Sequence, residues 1–106
     1  MTSTEQMGFR ALADPTRRNI LQLLAKSDMT IAEVADNFQM TRAAVKKHLT
    51  ILQDGDLISV RTSGRSRVNT INADGIKRVF DWFSYFDTFW EDRLNTLKTE
   101  IKRDIQ

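Results

Sequence analysis

The sequence predicts a mainly α-helical domain with one small β-hairpin, and three observations predict it. Helix-start signals stand at Asp14-Pro15, at Thr30-Ile31-Ala32-Glu33 and at Thr41. After Gly55 the apolar period changes from 3.6 to 2, over residues 57–62 and 67–72. From about residue 74 an apolar stripe returns at spacings of three and four. Helix, turn, helix and then a basic hairpin is the order of a winged helix-turn-helix, here with terminal helices suited to dimerisation.

Residues 1–6 are polar and expected to be frayed, 7–73 to form the winged helix-turn-helix, and 74–106 to form one long dimerising helix. A short first helix is expected over 7–13. In the next, Asp14 is the N-cap and Pro15 takes the first helical position, where no N–H is needed. It places Ile20, Leu21, Leu23 and Leu24 inward and ends near Lys26. Thr30 and Glu33 form a capping box, each side chain satisfying the other's orphan amide, and open a helix with Ile31, Val34, Ala35 and Phe38 facing in. Residues 39–40 turn the chain. Thr41 caps a helix that ends at Gly55, where the sequence predicts left-handed backbone. The two strands that follow are joined by Ser63-Gly64-Arg65-Ser66, a turn with a basic tip.

The helix after Thr41 carries two faces. Val45, Leu49 and Leu52 share one side, while Arg42, Lys46, Lys47 and Thr50 project from the rest. An apolar anchor with a short cationic and polar face is what entry into the major groove of double-stranded DNA requires. Small Ala43 and Ala44 would let the backbone approach closely and meet thymine methyls. Charge agrees with this. The net charge is only +2, but residues 41–73 hold Arg42, Lys46, Lys47, Arg61, Arg65 and Arg67 against Asp54 and Asp56 alone. The expected DNA contacts are therefore Thr41, Arg42, Ala43, Lys46, Lys47 and Thr50 from the helix, with Arg61, Arg65 and Arg67 from the hairpin.

Seven of the nine aromatic residues lie between Phe80 and Trp90. Ile76, Val79/Phe80, Phe83, Phe86, Trp90, Leu94, Leu97 and Ile101 recur at spacings of three and four, a heptad-like stripe about 40 Å long at 1.5 Å per residue. A domain of 106 residues cannot cover so many large side chains alone. A homodimer interface from Phe9, Leu12, Phe83, Phe86, Trp90, Leu94 and Leu97 accounts for them; packing within one chain and an aromatic-lined ligand pocket are the alternatives.

Other chemistry is poorly served. No cysteine is present, which removes disulfides, thiolate nucleophiles and thiolate metal sites. His48 is the single histidine and has no partners at metal-ligand spacing, so its expected role is a bond to a neighbouring group or a phosphate. There is no Gly-rich phosphate loop and no Ser/His/Asp set, so neither an enzyme nor a cofactor is expected. No apolar run approaches the ~20 residues of a membrane span and no signal-peptide pattern opens the chain, which leads to the expectation of a cytoplasmic protein with no membrane partner.

These residues resemble a known family. A-L-A-D-P-T-R-R-N-I-L-Q-L-L (11–24) is similar to the second-helix signature of ArsR/SmtB-type bacterial repressors, and M-T-R-A-A-V-K-K-H-L-T-I-L (40–52) to their recognition helix. The hairpin at Gly64-Arg65 resembles their wing. The resemblance implies a dimeric repressor of an inverted-repeat operator, with Thr41, Arg42, Ala43, Lys46, Lys47 and Arg65 on DNA, and with Asp14, Arg17 and Arg18 mainly structural. Three departures stand out. Lys46 replaces the usual Ser, Gly precedes Asp at 55–56, and the Cys, or Asp and His, ligands of metal-sensing members are missing. F-x-x-F-W-x-x-R-L (86–94) is similar to a subgroup that does not sense metal. An effector, small molecule or protein, is compatible with the sequence and not identified by it. Two rival readings stand beside the repressor: a protein-interaction winged helix using the aromatic helix, and a repressor gated by a small apolar ligand.

Overall fold

The computed structural model describes residues 3–105. Its elements are α1 (Thr4–Leu12), α2 (Pro15–Lys26), β1 (Met29–Thr30), α3 (Ile31–Ala35), α4 (Arg42–Asp54), β2 (Ile58–Ser63), β3 (Ser66–Ile71), α5 (Ala73–Ser84) and α6 (Asp87–Ile105). The three strands form one antiparallel sheet in the order β1-β3-β2. The architecture is the mainly helical winged helix-turn-helix that the sequence predicts.

The expected caps start the helices. Asp14 Oδ1 accepts the amides of Thr16 at 2.7 Å and Arg17 at 3.3 Å. Burial works against its charge, but those amides, the Arg17 guanidinium and His48 together hold its carboxyl below the ordinary range. Thr30 and Glu33 exchange both bonds of the capping box. The hydroxyl of Thr41 accepts the Ala44 amide at 3.1 Å. Ala11, Ile20, Leu24, Val34, Val45, Leu52, Leu57 and Ile58 make the fully covered centre of the core, with Leu21, Leu49 and Val79 beside them.

Five local expectations are corrected. The first helix begins at Thr4, not residue 7, because Ser3 caps it by accepting the Gln6 amide; residues 1 and 2 of the segment expected to fray lie outside the described residues. The third helix stops at Ala35, and 36–39 turn through bonds from Asn37 to Val34 and Phe38 to Ala35. A two-residue strand at Met29–Thr30 pairs with β3, and Asn69, buried there, donates its side-chain amide to the Met29 carbonyl at 3.1 Å. Too short to show a period, that strand is invisible to pattern.

Gly55 is not left-handed: its φ is −79°, and the positive φ, 63°, falls on Asp56. Asp tolerates that region better than most residues. Glycine is needed at 55 for space, since an added Cβ would stand 2.9 Å from the Met7 carbonyl and 3.0 Å from Gly8 Cα. Asp56 then ties the end of α4 to α5. Asn72 donates its amide to the Asp56 carbonyl and to Oδ1, both at 3.0 Å, and Arg78 pairs with Oδ2. Asn72 is the N-cap residue of α5 but makes no capping bond with its side chain, which is spent on Asp56. Gly75 lies so close that a Cβ would fall 1.6 Å from the Asp56 carbonyl oxygen.

The C-terminal segment is two helices, not one. At 85–86 the amides of Tyr85 and Phe86 bond three residues back, to Trp82 and Phe83, and the ladder of four resumes at Trp90. Phe, Trp, Ser and Tyr crowd this stretch, and each has weak helix propensity, so a tighter turn costs little there.

Candidate DNA-binding surface

In α4 the apolar stripe and the polar face separate as expected. Val45, Leu49 and Leu52 are buried, and Thr41, Arg42, Ala43, Lys46, Lys47 and Thr50 are exposed. Ala44 is half-buried, so of the two alanines only Ala43 stands on the open face. Residues 43, 47 and 50, spaced by four and three, lie opposite the stripe at 3.6 residues per turn. Asp54 closes the same row with an exposed carboxylate, which leaves the first three turns as the cationic part.

The hairpin stands beside this helix. A crevice of about 70 Å³ between them is lined by Lys46, Thr50, Gln53, Val60 and Arg67, among others. Gln53 is a crevice residue that the sequence reading does not single out; its place seven residues after Lys46, on one flank, is the signal for that position. Gly64 and Arg65 form the two-residue tip, with Gly64 at φ +62° as a tight hairpin favours.

The three wing arginines do not act as one group. Arg67 pairs across the ladder with Thr62, whereas Arg61 pairs with Val68 and so points to the opposite face. There Arg61 meets Asp28 at 3.4 Å, tying β2 to the residue before β1. Arg65 is exposed at the tip.

Arg17 is a structural residue. Its guanidinium donates to the carbonyls of Ala11 at 2.8 Å and Arg10 at 3.1 Å, closing the end of α1, and a further nitrogen stands 3.5 Å from His48 Nδ1 on α4. Arg18 donates to the Leu12 carbonyl at 2.7 Å. His48 thus faces a neighbouring side chain, as expected of it.

The residues expected at a dimer interface divide into two kinds. Phe83, Trp90, Leu94 and Leu97 are about half exposed or more, while Phe9, Leu12 and Phe86 are half-buried within the chain. Phe9 meets Trp82 and Phe83 edge to face, with ring centres 5.7 and 6.2 Å apart, so α1 sits under the start of the aromatic stripe. Ile76 and Val79 pack on the core; beyond them the stripe is uncovered.

A helix-turn-helix domain family matches residues 12–61. The transcriptional repressor SdpR of Bacillus subtilis is 33% identical over 78 residues, which cover 74% of this chain and 87% of the relative. The HTH-type transcriptional regulator Rv2034 of Mycobacterium tuberculosis is 33% identical over 82 residues, covering 77% and 74%. The crystal structure of the ArsR family transcriptional regulator RHA00566 superposes with a TM-score of 0.75 at 32% identity, over 84% of this chain and 98% of that one. The chain belongs to the ArsR/SmtB family.

As a member of that family it is a DNA-binding transcriptional regulator and not an enzyme. The metal-sensing chemistry of some ArsR/SmtB members does not fit its residues. The chain has no cysteine, its one histidine is engaged with Arg17, and no group of three His, Asp or Glu side chains converges among the described residues. Among those residues no helix is long and apolar enough to cross a membrane.

Proposed function

We propose that this protein is a homodimeric repressor that binds an inverted-repeat operator in the bacterial cytoplasm. The observation that carries the reading is the division of α4, buried through Val45, Leu49 and Leu52 and open through Arg42, Ala43, Lys46, Lys47 and Thr50. Each α4 enters a major groove, with Arg42 and Lys46 on base edges and Thr41, Lys47 and Thr50 on phosphates or bases nearby. Arg65 at the wing tip and Arg67 beside the crevice neutralise flanking phosphates. Arg61, turned away toward Asp28, braces the wing in this reading.

Dimerisation joins the uncovered stripe of Phe83, Trp90, Leu94 and Leu97 to a second copy, with Phe9, Leu12 and Phe86 supporting it from behind. Half-sites then lie about one helical turn apart. Repression is the direction supported by the SdpR relative. The response is read as independent of metal, since the chain has no cysteine and its one histidine stands against Arg17. One observation favours a second reading, gating by a small apolar ligand: Phe9, Trp82 and Phe83 line an open hollow between α1 and α5.

Selection from a randomised duplex library at physiological salt tests the proposal. Enrichment of an inverted repeat, with one dimer per duplex by sedimentation, is the expected result. Retention without enrichment leaves only phosphate binding and ends the operator reading. Tryptophan fluorescence with apolar candidates tests the gated form: quenching that weakens operator binding supports it, and quenching without that effect counts against it.

A further inference from the structure

The open face of α4 has a chemical character that its charge conceals. Ala43, Lys46, Lys47, Thr50 and Ile51 line one shallow groove along the helix. Its lining is almost wholly carbon, although two of the five residues are lysines and one a threonine, so the side chains present their apolar parts to it; Ile51 is half-buried. Ala43, near the helix start, and Thr50, seven residues on, lie in one row with Lys47 between them.

Resting on the reading of α4 as the groove-binding helix, we infer that this strip reads the C5-methyl groups of thymine and so fixes A·T pairs at the centre of each half-site. Thymine carries the one apolar group among the base edges of the major groove. A carbon floor placed on any other base edge covers a donor or acceptor without a partner, which is costly, whereas against a methyl it loses only water. Lys47 rises from within the strip and Lys46 from one edge of it, and the Lys47 charge, met by the phosphate walls of the groove, keeps the strip pointed at DNA. Asp54 sets the limit of the strip, repelled by phosphate at the end of the same row. Specificity from this strip is thus positive for a methyl rather than for a hydrogen bond, and it is separate from the base contact of Arg42.

Deoxyuridine keeps thymine's hydrogen-bonding edge and lacks the methyl, so it isolates the effect. In the selected operator, each thymine is replaced in turn by deoxyuridine and the affinity of the full chain is measured. One or two positions per half-site are expected to lose about fourfold each, the worth of one buried methyl-sized group. The loss is expected to disappear with Thr50→Ser at one position and with Ala43→Gly at another. Thr50→Val, which keeps the methyl, is expected to keep the discrimination, and urea unfolding of Ala43→Gly itself checks that this variant is folded. Equal affinity for thymine and deoxyuridine everywhere, or a selected half-site without thymine at its centre, overturns the inference while leaving the repressor reading intact. A deoxyuridine loss that survives both Thr50→Ser and Ala43→Gly overturns the assignment to this strip. Failure to retain any duplex overturns the DNA reading itself, and this inference with it.

Discussion

Helices α4 and α6 are both amphipathic, but only one has its apolar side covered by its own chain. Val45, Leu49 and Leu52 of α4 are 4% exposed or less, whereas Trp90, Leu94, Leu97 and Ile101 of α6 are near half exposed. From Asp87 to Lys102 every side chain is exposed. The first helix is held by the core of the domain and the second by nothing described in the single chain. A reading head with fixed side chains needs the former; a surface waiting for a partner looks like the latter. Under the proposed dimer, fold and assembly are stored in different parts of the sequence, and substitutions in each should be told apart by what they disturb.

The largest expected effect falls on the covered helix. Leu52→Ala leaves a cavity at the fully buried centre and should destabilise the domain by about 2–5 kcal/mol, read from urea unfolding. Its cost should not depend on protein concentration; a strong dependence would break the division between the two helices. Trp90→Glu should do the reverse. We expect monomers by sedimentation and a loss of operator affinity of about 100-fold, the share contributed by holding two half-sites at once, with the unfolding of the core little changed. If Trp90→Glu remains dimeric, the stripe is not the interface.

Within the reading surface, Arg42→Ala should cost about 1–3 kcal/mol of binding and relax the preference at one base pair. Arg65→Ala should weaken all duplexes alike and flatten the salt dependence by about one phosphate's worth. Equal loss of affinity from both, with specificity unchanged, would dissolve the distinction between helix and wing. The smallest effect belongs to Asp14. Because its folded carboxyl is depressed, its contribution is present above the ordinary carboxylate range, about pH 4, and is lost as pH falls through the lower folded value. Asp14→Ala should thus destabilise slightly at neutral pH, and the gap from the parent should close on acidification below pH 4.

Much of this was legible from local chemistry. Caps are short-range, and Asp14, Thr30 with Glu33, and Thr41 each announce a helix whose start the structure keeps. The buried face of α4 follows from period alone. What escaped depends on contacts between distant residues. The left-handed position moved from Gly55 to Asp56 because α1 presses on Gly55, and no reading of residues 53–57 contains α1. Arg61 and Arg67 look alike in sequence, but a strand's alternation sends them to opposite faces, one to Asp28 and one to the crevice beside α4. The heptad-like stripe hid the break at 85–86, since a tighter turn disturbs its spacing too little to show. The membership of the family was legible in the two motifs at 11–24 and 40–52.

The elbow at Asp56, Asn72, Gly75 and Arg78 has a consequence for how such a regulator changes its target. With no room for even one methyl group at Gly75, the start of α5 lies directly against the Asp56 carbonyl, and this contact helps to set the angle at which α5 leaves the domain. In a dimer joined through the helices beyond, that angle sets how far apart the two reading heads stand. In the proposed dimer the distance between half-sites would then be written in this joint, and their base sequence in α4. Evolution can edit the two independently: a change at the elbow would redirect the protein to sites of new separation without touching a residue that meets a base.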